Sequence, residues 1–235
     1  MRAVSAALVV LACGAALADD APAVRFEHDM VVRMHMHESY DLVRAMERLL
    51  LRGRLDEARD FARAIAQAPD DPGSAAFATQ SARVRERAAA LADATTVADA
   101  VHREARLASA CASCHADAGV LPDFASPPPV PPDRRDLVAR MARHVWAADR
   151  MWEGMVGLAD DSWRAGLDVL AAAPLSAAEL GAGRAPLAQD LRRAAERARK
   201  LRPPGAAATV LERGDDRAAA YGDILATCAA CHATR

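Results

Sequence analysis

The stretch ASACASCHADAG, residues 108–119, is the most informative part of the chain, because its central pentapeptide returns in ATCAACHATR, residues 226–235. A C-x-x-C-H pentapeptide therefore occurs twice, once mid-chain and once at the C-terminal end. On a helix, residues i, i+3 and i+4 share one face, so both thiols and the imidazole of each pentapeptide project to the same side. Two thioether bonds to a haem, with a histidine beneath its iron, need this arrangement.

The sequence therefore predicts two haem c groups, each attached covalently to one pentapeptide. The residues that would hold them are Cys111, Cys114 and His115 in the first pentapeptide and Cys228, Cys231 and His232 in the second. A shared zinc site would need both cysteine pairs in one place. A thioredoxin-like motif is expected once, after a strand, and a disulfide within a helical C-x-x-C would add little. The fifth cysteine, Cys13, lies in the N-terminal apolar run, so the predicted haem sites use every other thiol.

The composition favours a mainly helical protein that does not bind nucleic acid. Apolar residues make up 52% of the 235-residue chain but aromatic residues only 4%, and alanine accounts for the excess. Such a mixture favours closely packed helices over aromatic-rich sheets. The net charge of −2 lacks the strongly basic character that binding to nucleic acid requires.

Residues 1–18 have the features of a secretory signal peptide: a basic residue, an apolar run and a small-x-small site that predicts cleavage after Ala18. A rival interpretation takes Cys13 as a lipoprotein acylation site, but Leu11 is bulkier than such sites prefer, and we expect cleavage instead. The apolar run is too short to span a bilayer, and no later stretch is long enough. The sequence therefore predicts an exported, periplasmic protein with no transmembrane segment.

Each pentapeptide closes one copy of an internal duplication. The cysteines align at an offset of 117 residues, from 111 to 228. Further upstream, HDMVVRMHMH at 28–37 aligns with RDLVARMARH at 135–144 at an offset of 107. The difference between the offsets indicates an insertion in the second copy, which we place in RPPGAAATVLERGDD, 202–216.

A proline-rich run, 121–133, separates a first domain, 19–120, from a second, 134–235, and suits a semi-rigid linker. Hydrophobic periodicity and helix-breaking residues predict four helices in each copy. The predicted helices run from Met30 to Leu51, Leu55 to Ala68, Ala75 to Ala92 and Thr96 to His115 in the first copy, and from Arg135 to Leu158, Asp161 to Ala172, Ala185 to Leu201 and Arg217 to His232 in the second. Short connections between these helices predict an all-α protein of two tandem antiparallel four-helix bundles, each closed by its C-x-x-C-H motif.

This order of elements resembles the class II c-type cytochromes, the cytochrome c prime family and its low-spin relatives. In class I cytochromes c the attachment motif opens the domain and a methionine ligand follows it, whereas here each motif closes its domain. The resemblance covers each half separately, through the C-terminal motif and the helix order. Two such domains in tandem depart from the usual single-haem member.

The resemblance implies which residues approach the other face of each haem. In that family the distal residue lies on the first helix, four positions after an arginine near the haem propionates. The residues at these positions are Arg33 and His37 in the first copy and Arg140 and His144 in the second. Iron ligated by two histidines is therefore implied, His37 with His115 and His144 with His232.

Two alternatives remain for the distal side. Met34 and Met141 recur in both copies, and Met/His ligation is familiar in low-spin cytochromes. An iron with an open sixth position is the other alternative.

The sequence favours an electron carrier over an enzyme. With both axial positions filled, the haems would exchange electrons with other redox proteins through small, weak contacts. The alternative is a sensor or binder of nitric oxide or carbon monoxide, which needs an open or displaceable distal position. A dihaem peroxidase would need acid and base groups beside an accessible iron, and the sequence shows no such group. The sequence predicts no particular oligomeric state.

Overall fold

A computed structural model describes residues 30–69, 77–120, 122, 124, 126–134, 136–172, 175, 180–181, 183–201 and 210–233, without the side chains of 30–33, 35 and 210–213. These residues form eight helices and no strand, so the predicted all-α class is confirmed. The helices are α1 (Met30–Leu50), α2 (Leu55–Ala66), α3 (Ala78–Ala92), α4 (Val97–Asp117), α5 (Leu137–Val156), α6 (Asp160–Ala172), α7 (Ala185–Ala198) and α8 (Val210–Ala233). Within these ranges no helix has the length and apolar character needed to cross a membrane. The predicted signal peptide lies outside the described residues.

The helices pack in the same order in both halves. In the first half α1 contacts α2, α2 contacts α3, α3 contacts α4, and α4 returns to contact α1. In the second half α5, α6, α7 and α8 follow the same order, and α8 returns to α5. Fully buried alanines at these contacts include Ala58, Ala62, Ala88, Ala105, Ala147 and Ala195. The alanine-rich composition therefore allows the close approach of helices that a dense interior requires.

Local sequence signals set several helix ends. Gly53, in the turn between α1 and α2, has a φ of 75°, which glycine adopts without steric penalty. The Thr96 hydroxyl accepts a hydrogen bond from the Asp99 backbone N–H at 3.1 Å and caps α4. The Asp136 carboxylate caps α5 in the same way, 2.8 Å from the Ala139 backbone nitrogen. These ends lie close to the predicted boundaries.

Helix α8 begins earlier than the sequence predicts. The sequence predicts a start near Arg217, yet the helix begins at Val210. Gly214 lies inside the helix, where an added Cβ would come 3.4 Å from the Cβ of Ser109 on α4, which is ordinary van der Waals contact. Gly214 therefore faces α4 and does not mark a turn. The described part of the predicted insertion, 210–216, lengthens α8.

The two halves pack against each other through α4 and α8, which form the most extensive helix pair among the described residues. His102 on α4 faces Gly222 on α8, and Ser109 faces Gly214, so the pair is antiparallel. The His102 Nε2 atom also lies 3.0 Å from the Asp223 carboxylate. With a rise of 1.5 Å per residue, this register places the two pentapeptides at opposite ends of the pair, roughly 30 Å apart.

The proline-rich linker lies along α5. Its contacts pair Phe124 with Gly157, Pro128 with Trp146 and Pro131 with Arg143. The Trp146 indole N–H donates to the Pro128 carbonyl at 2.8 Å, and the Arg143 guanidinium donates to the Pro131 carbonyl at 2.6 Å. The described residues of the linker therefore run antiparallel to α5, from Gly157 just after the end of the helix back to Arg143.

Candidate functional site

The first pentapeptide occupies the C-terminal turns of α4. Cys111, Cys114 and His115 are all half-buried, and their spacing on a continuous helix places them on one side. The Cys111 thiol lies 3.8 Å from the Leu107 carbonyl, one turn earlier. The helix ends only at Asp117, so regular backbone holds all three side chains in place.

The second pentapeptide lies in the last turns of α8. Cys228, Cys231 and His232 are half-buried there, as their counterparts are on α4. The four cysteines of the two pentapeptides are free thiols, and no disulfide joins any of them. The sequence repeat therefore extends to the position of each motif at the end of a long helix.

Burial favours the protonated form of three of the four thiols. It raises the pKa of Cys111 to about 12 and that of Cys228 to about 12, and it also raises the pKa of Cys114. A redox-active cysteine of the thioredoxin kind needs the opposite shift, because the thiolate is the nucleophile. The thioredoxin-like alternative is disfavoured on this ground.

The separation of the pentapeptides disfavours a shared zinc site. A tetrahedral site needs all four ligands within bonding distance of one ion, whereas the cysteine pairs lie at opposite ends of the α4–α8 pair. Over the described ranges, no three His, Cys, Asp or Glu side chains come together as a metal site.

The His115 imidazole lies in surroundings that favour its neutral form. Burial lowers its pKa, and the nearby carbonyl of Val156 on α5 opposes the shift in part. The imidazole is therefore neutral at neutral pH, the form that binds metal. Its Nδ1 atom is buried and has no hydrogen-bond partner among the described residues. Two thiols and a neutral imidazole on one helix face fit a covalently attached haem.

The predicted distal residues of the first half lie in the N-terminal part of α1. His37 is exposed, and Met34 is 56% exposed. Arg33 belongs to α1, but its side chain is outside the described part of the structure. Helix α1 packs against α4, which carries His115. The structure does not select between His37 and Met34 as the partner of His115, and the histidine pair stays a prediction.

The corresponding residues of the second half are less exposed. Arg140, Met141 and His144 on α5 are half-buried, and the Nε2 atom of His144 and the Nε atom of Arg140 are fully buried. Arg140 and His144, each with a buried nitrogen, lie one helical turn apart on α5.

The register of α5 and α8 brings His144 towards the second pentapeptide. The Tyr221 hydroxyl lies 3.4 Å from the Ala148 carbonyl, and the Arg217 guanidinium lies 2.6 Å from the Gly154 carbonyl, so the helices are antiparallel. Continued towards the end of α8, this register sets His144 at the level of the residues just before the pentapeptide. Side chains lean towards the N-terminus of their own helix. Because the two helices are antiparallel, the side chains of His144 and His232 lean towards each other along the helix axes.

A polar cluster that the sequence patterns do not predict lies where α1, α4, α5 and α8 meet. Its members, which we call the central polar cluster, are Arg44, Glu47, Glu104, Asp149 and Tyr221. Glu47 and Glu104 are buried, with exposed fractions of 3% and 0%. The available sequence signal is that Glu104 falls at the helical spacing of Ala100, Val101, Leu107 and Ala108, the apolar face of α4, where a glutamate is almost never buried unless it is paired.

Comparison with known proteins adds no assignment. No protein-family model matches this chain, and no curated protein or solved structure is significantly similar to it. The residues of the chain itself are therefore the basis for its proposed function.

Proposed function

We propose that this chain is an exported dihaem c-type cytochrome that carries electrons. The observation that supports it best is the repeated end-of-helix pentapeptide, with two thiols and an imidazole on one face and no disulfide. Covalent haem attachment uses all three groups. A thioredoxin-like redox site would use a thiolate, which burial of Cys111 and Cys228 disfavours.

At each site the two cysteines and the histidine of the pentapeptide would have different roles. Thioethers from Cys111 and Cys114 would hold one haem, with His115 as its proximal ligand, and the second pentapeptide would do the same for the other. Haem bound in this way supplies reversible one-electron oxidation and reduction of iron. The helix fixes the direction of the imidazole, and burial keeps it neutral.

Each half would form an antiparallel four-helix bundle. The closed order of helix contacts, in which the fourth helix returns to the first, supports this architecture. In such a bundle the start of the first helix and the end of the fourth lie at the same end. His37 and His144 would then complete the iron coordination, with Arg33 and Arg140 near the propionates.

The two haems would act as separate one-electron carriers. The pentapeptides lie roughly 30 Å apart along α4 and α8, and electron transfer slows steeply with distance. Each haem would therefore exchange electrons with an outside redox protein more readily than with the other haem. Small, short-lived contacts of the kind that electron transfer uses would suffice.

Gas binding at the first haem is the second candidate. The exposure of His37 and Met34 favours it, because a distal ligand held by few contacts is easily displaced by carbon monoxide or nitric oxide. His144 is more buried, so the second haem would keep its ligand.

Mass and absorption spectra of the purified protein test the proposal. We expect two covalently attached haems and low-spin spectra in both oxidation states that carbon monoxide leaves unchanged. Absence of covalent haem would refute the cytochrome assignment. A high-spin ferrous form that binds carbon monoxide would instead favour the gas-binding candidate.

Single histidine substitutions test the distal ligands. His37→Ala and His144→Ala should each leave both haems attached and turn one of them high-spin. His102→Ala is the matched control, because His102 lies on α4 and bonds Asp223 rather than facing a predicted haem site. Low-spin spectra in His37→Ala would exclude His37 as a ligand.

A further inference from the structure

A carboxyl group without a partner lies at the centre of the molecule. Glu104 is fully buried, and neither of its carboxyl oxygens has a hydrogen-bond partner among the described residues. An ionised carboxylate is strongly disfavoured in such surroundings. Burial raises the pKa of Glu104 well above its usual range. Burial therefore favours the protonated form of Glu104, and a nearby positive charge favours the ionised form.

The neighbouring carboxyl of Glu47 on α1 is also buried, but it has partners. Arg44 donates to Glu47 Oε2 at 2.7 Å, and the Tyr221 hydroxyl donates to the same oxygen at 3.2 Å. After burial, the like charge of Glu47 is the next cause that raises the pKa of Glu104, and Arg44 lowers it. The cluster thus supplies hydrogen bonds to the carboxylate of Glu47 and none to that of Glu104. Protonation is what lowers the cost of burying Glu104.

Several charged groups on the helices around Glu104 form ion pairs. Three pairs lie outside the central polar cluster and join Arg87 to Asp215, Arg150 to Glu153 and Arg217 to Asp160. Within the cluster, Asp149 pairs with Arg44. The protonation of Glu104 is therefore governed by Glu47, by Arg44 and by any charge placed at the pentapeptides.

The central polar cluster lies between the two pentapeptides. Glu104 precedes Cys111 by about two helical turns, and Tyr221, its counterpart in the duplication, precedes Cys228 by the same number. Burial is the largest cause of the raised pKa of Cys111 and of Cys228, and the neighbouring Cys114 or Cys231 is the next. The charge of Glu104 adds to the shift at Cys111, and that of Glu47 adds to the shift at Cys228. A charge at either pentapeptide therefore interacts with a carboxyl group of the cluster.

We propose that Glu104 is a proton-binding site shared by both haems, which takes up one proton on reduction and releases it on oxidation. This inference rests on the proposed function, because it needs a redox-active iron at each pentapeptide. An outside one-electron donor reduces each ferric iron to ferrous, and the Glu104 carboxylate forms one O–H bond with a proton from solvent. Two electrons and one proton enter; on oxidation the O–H bond breaks and the proton returns to solvent.

The direction of the coupling follows from charge. A ferric iron carries one more positive charge than a ferrous iron, so it favours the ionised carboxylate, and reduction favours the protonated form. Charges interact strongly across the low-dielectric interior in which Glu104 lies. Because coupling is reciprocal, protonation of Glu104 must raise the reduction potential of both haems. The potentials should therefore fall as pH rises.

Redox titration of the holoprotein over a range of pH tests this coupling. In the wild type we expect the mean potential to fall by about 30 mV per pH unit, the value of a tenfold change in proton activity for two electrons and one proton. Glu104→Gln should lose this slope. Glu86→Gln is the matched control, because Glu86 is exposed on α3 and the same substitution there leaves the central polar cluster intact.

Infrared difference spectra of the wild-type protein give a readout that needs no variant to fold. A protonated-carboxyl band should grow on reduction, with uptake of one proton per two electrons measured by an indicator dye. If Glu104→Gln folds, the band should be missing from its spectrum.

The possible failures are distinguishable. Attached haems with an unchanged slope in Glu104→Gln, or with no carboxyl band in the wild type, would overturn the proton site and leave the proposed function intact. A protein without covalent haem, identified by its mass, would overturn both.

Discussion

At the scale of single residues, Glu104 is where burial and charge oppose each other most directly. Its carboxyl group is fully enclosed and has no hydrogen-bond partner in the described part of the chain. Burying an unpartnered polar group costs about 1–3 kcal/mol. An apolar side chain of similar size would fill the same space without this cost, so Glu104 lowers the stability of the fold rather than supporting it.

This opposition predicts an unusual dependence of stability on pH. The folded-state pKa of Glu104 is above its unfolded value, so the folded state binds the proton more tightly. The free energy of unfolding should therefore fall by about 1.4 kcal/mol per pH unit as pH rises from the unfolded pKa to the folded pKa, and stay level beyond it. Urea denaturation of Glu104→Gln should lack this component, whereas Glu86→Gln should keep it. Parallel pH profiles for Glu104→Gln and the wild type would contradict the assignment.

The attachment residues are predictable from sequence because their geometry is local. Cys111, Cys114 and His115 lie within five positions of one helix, and helical spacing alone places them on one side. The neighbours of Glu104 are not predictable in this way. Glu47 and Tyr221 come from helices far away in the sequence, and their approach depends on how the two halves pack. The distal residue His37 poses the same problem, since its distance to His115 depends on the packing of α1 against α4.

At the scale of elements, the linker determines how firmly α5 is held. Its proline content predicts a semi-rigid spacer, but does not predict that the spacer lies along α5. The side chains of Trp146 and Arg143, which are distant from the linker in sequence, hold it there through hydrogen bonds. Both residues flank His144, the predicted distal ligand of the second haem. The linker therefore holds the part of α5 that the second site needs.

Trp146→Phe should loosen this part of α5 without emptying the space the ring fills. The substitution removes the N–H that bonds the Pro128 carbonyl, a contact worth about 0.5–1.5 kcal/mol. We expect faster amide hydrogen exchange in the first turns of α5 and faster proteolysis of the linker. Trp152→Phe is the control, because that indole N–H has no hydrogen-bond partner among the described residues. Equal exchange in the two variants would show that the bond does not hold the linker.

At the scale of the whole molecule, the two copies pack as if they were the subunits of a dimer. The duplicated helices α4 and α8 meet antiparallel, so equivalent positions such as Glu104 and Tyr221 lie near the middle of the contact. The duplication predicts two similar units but not the face by which they meet. That face depends on small residues such as Gly222, which leaves room for the His102 ring on α4. The sequence alone does not show that His102 is its neighbour.

The close contact at Gly222 predicts that the two halves unfold together. All three tryptophans lie in the second half, so fluorescence reports on that half and circular dichroism on both. In the wild type the two signals should give coincident urea transitions. Gly222→Leu should separate them, because even a Cβ would lie 2.6 Å from the His102 ring and 3.0 Å from its Cα, which forces α4 and α8 apart. Ala219→Leu adds a larger side chain at an exposed position of α8 and should keep the transitions coincident. Coincident transitions in Gly222→Leu, or separate ones in the wild type, would mean that the α4–α8 contact does not couple the halves.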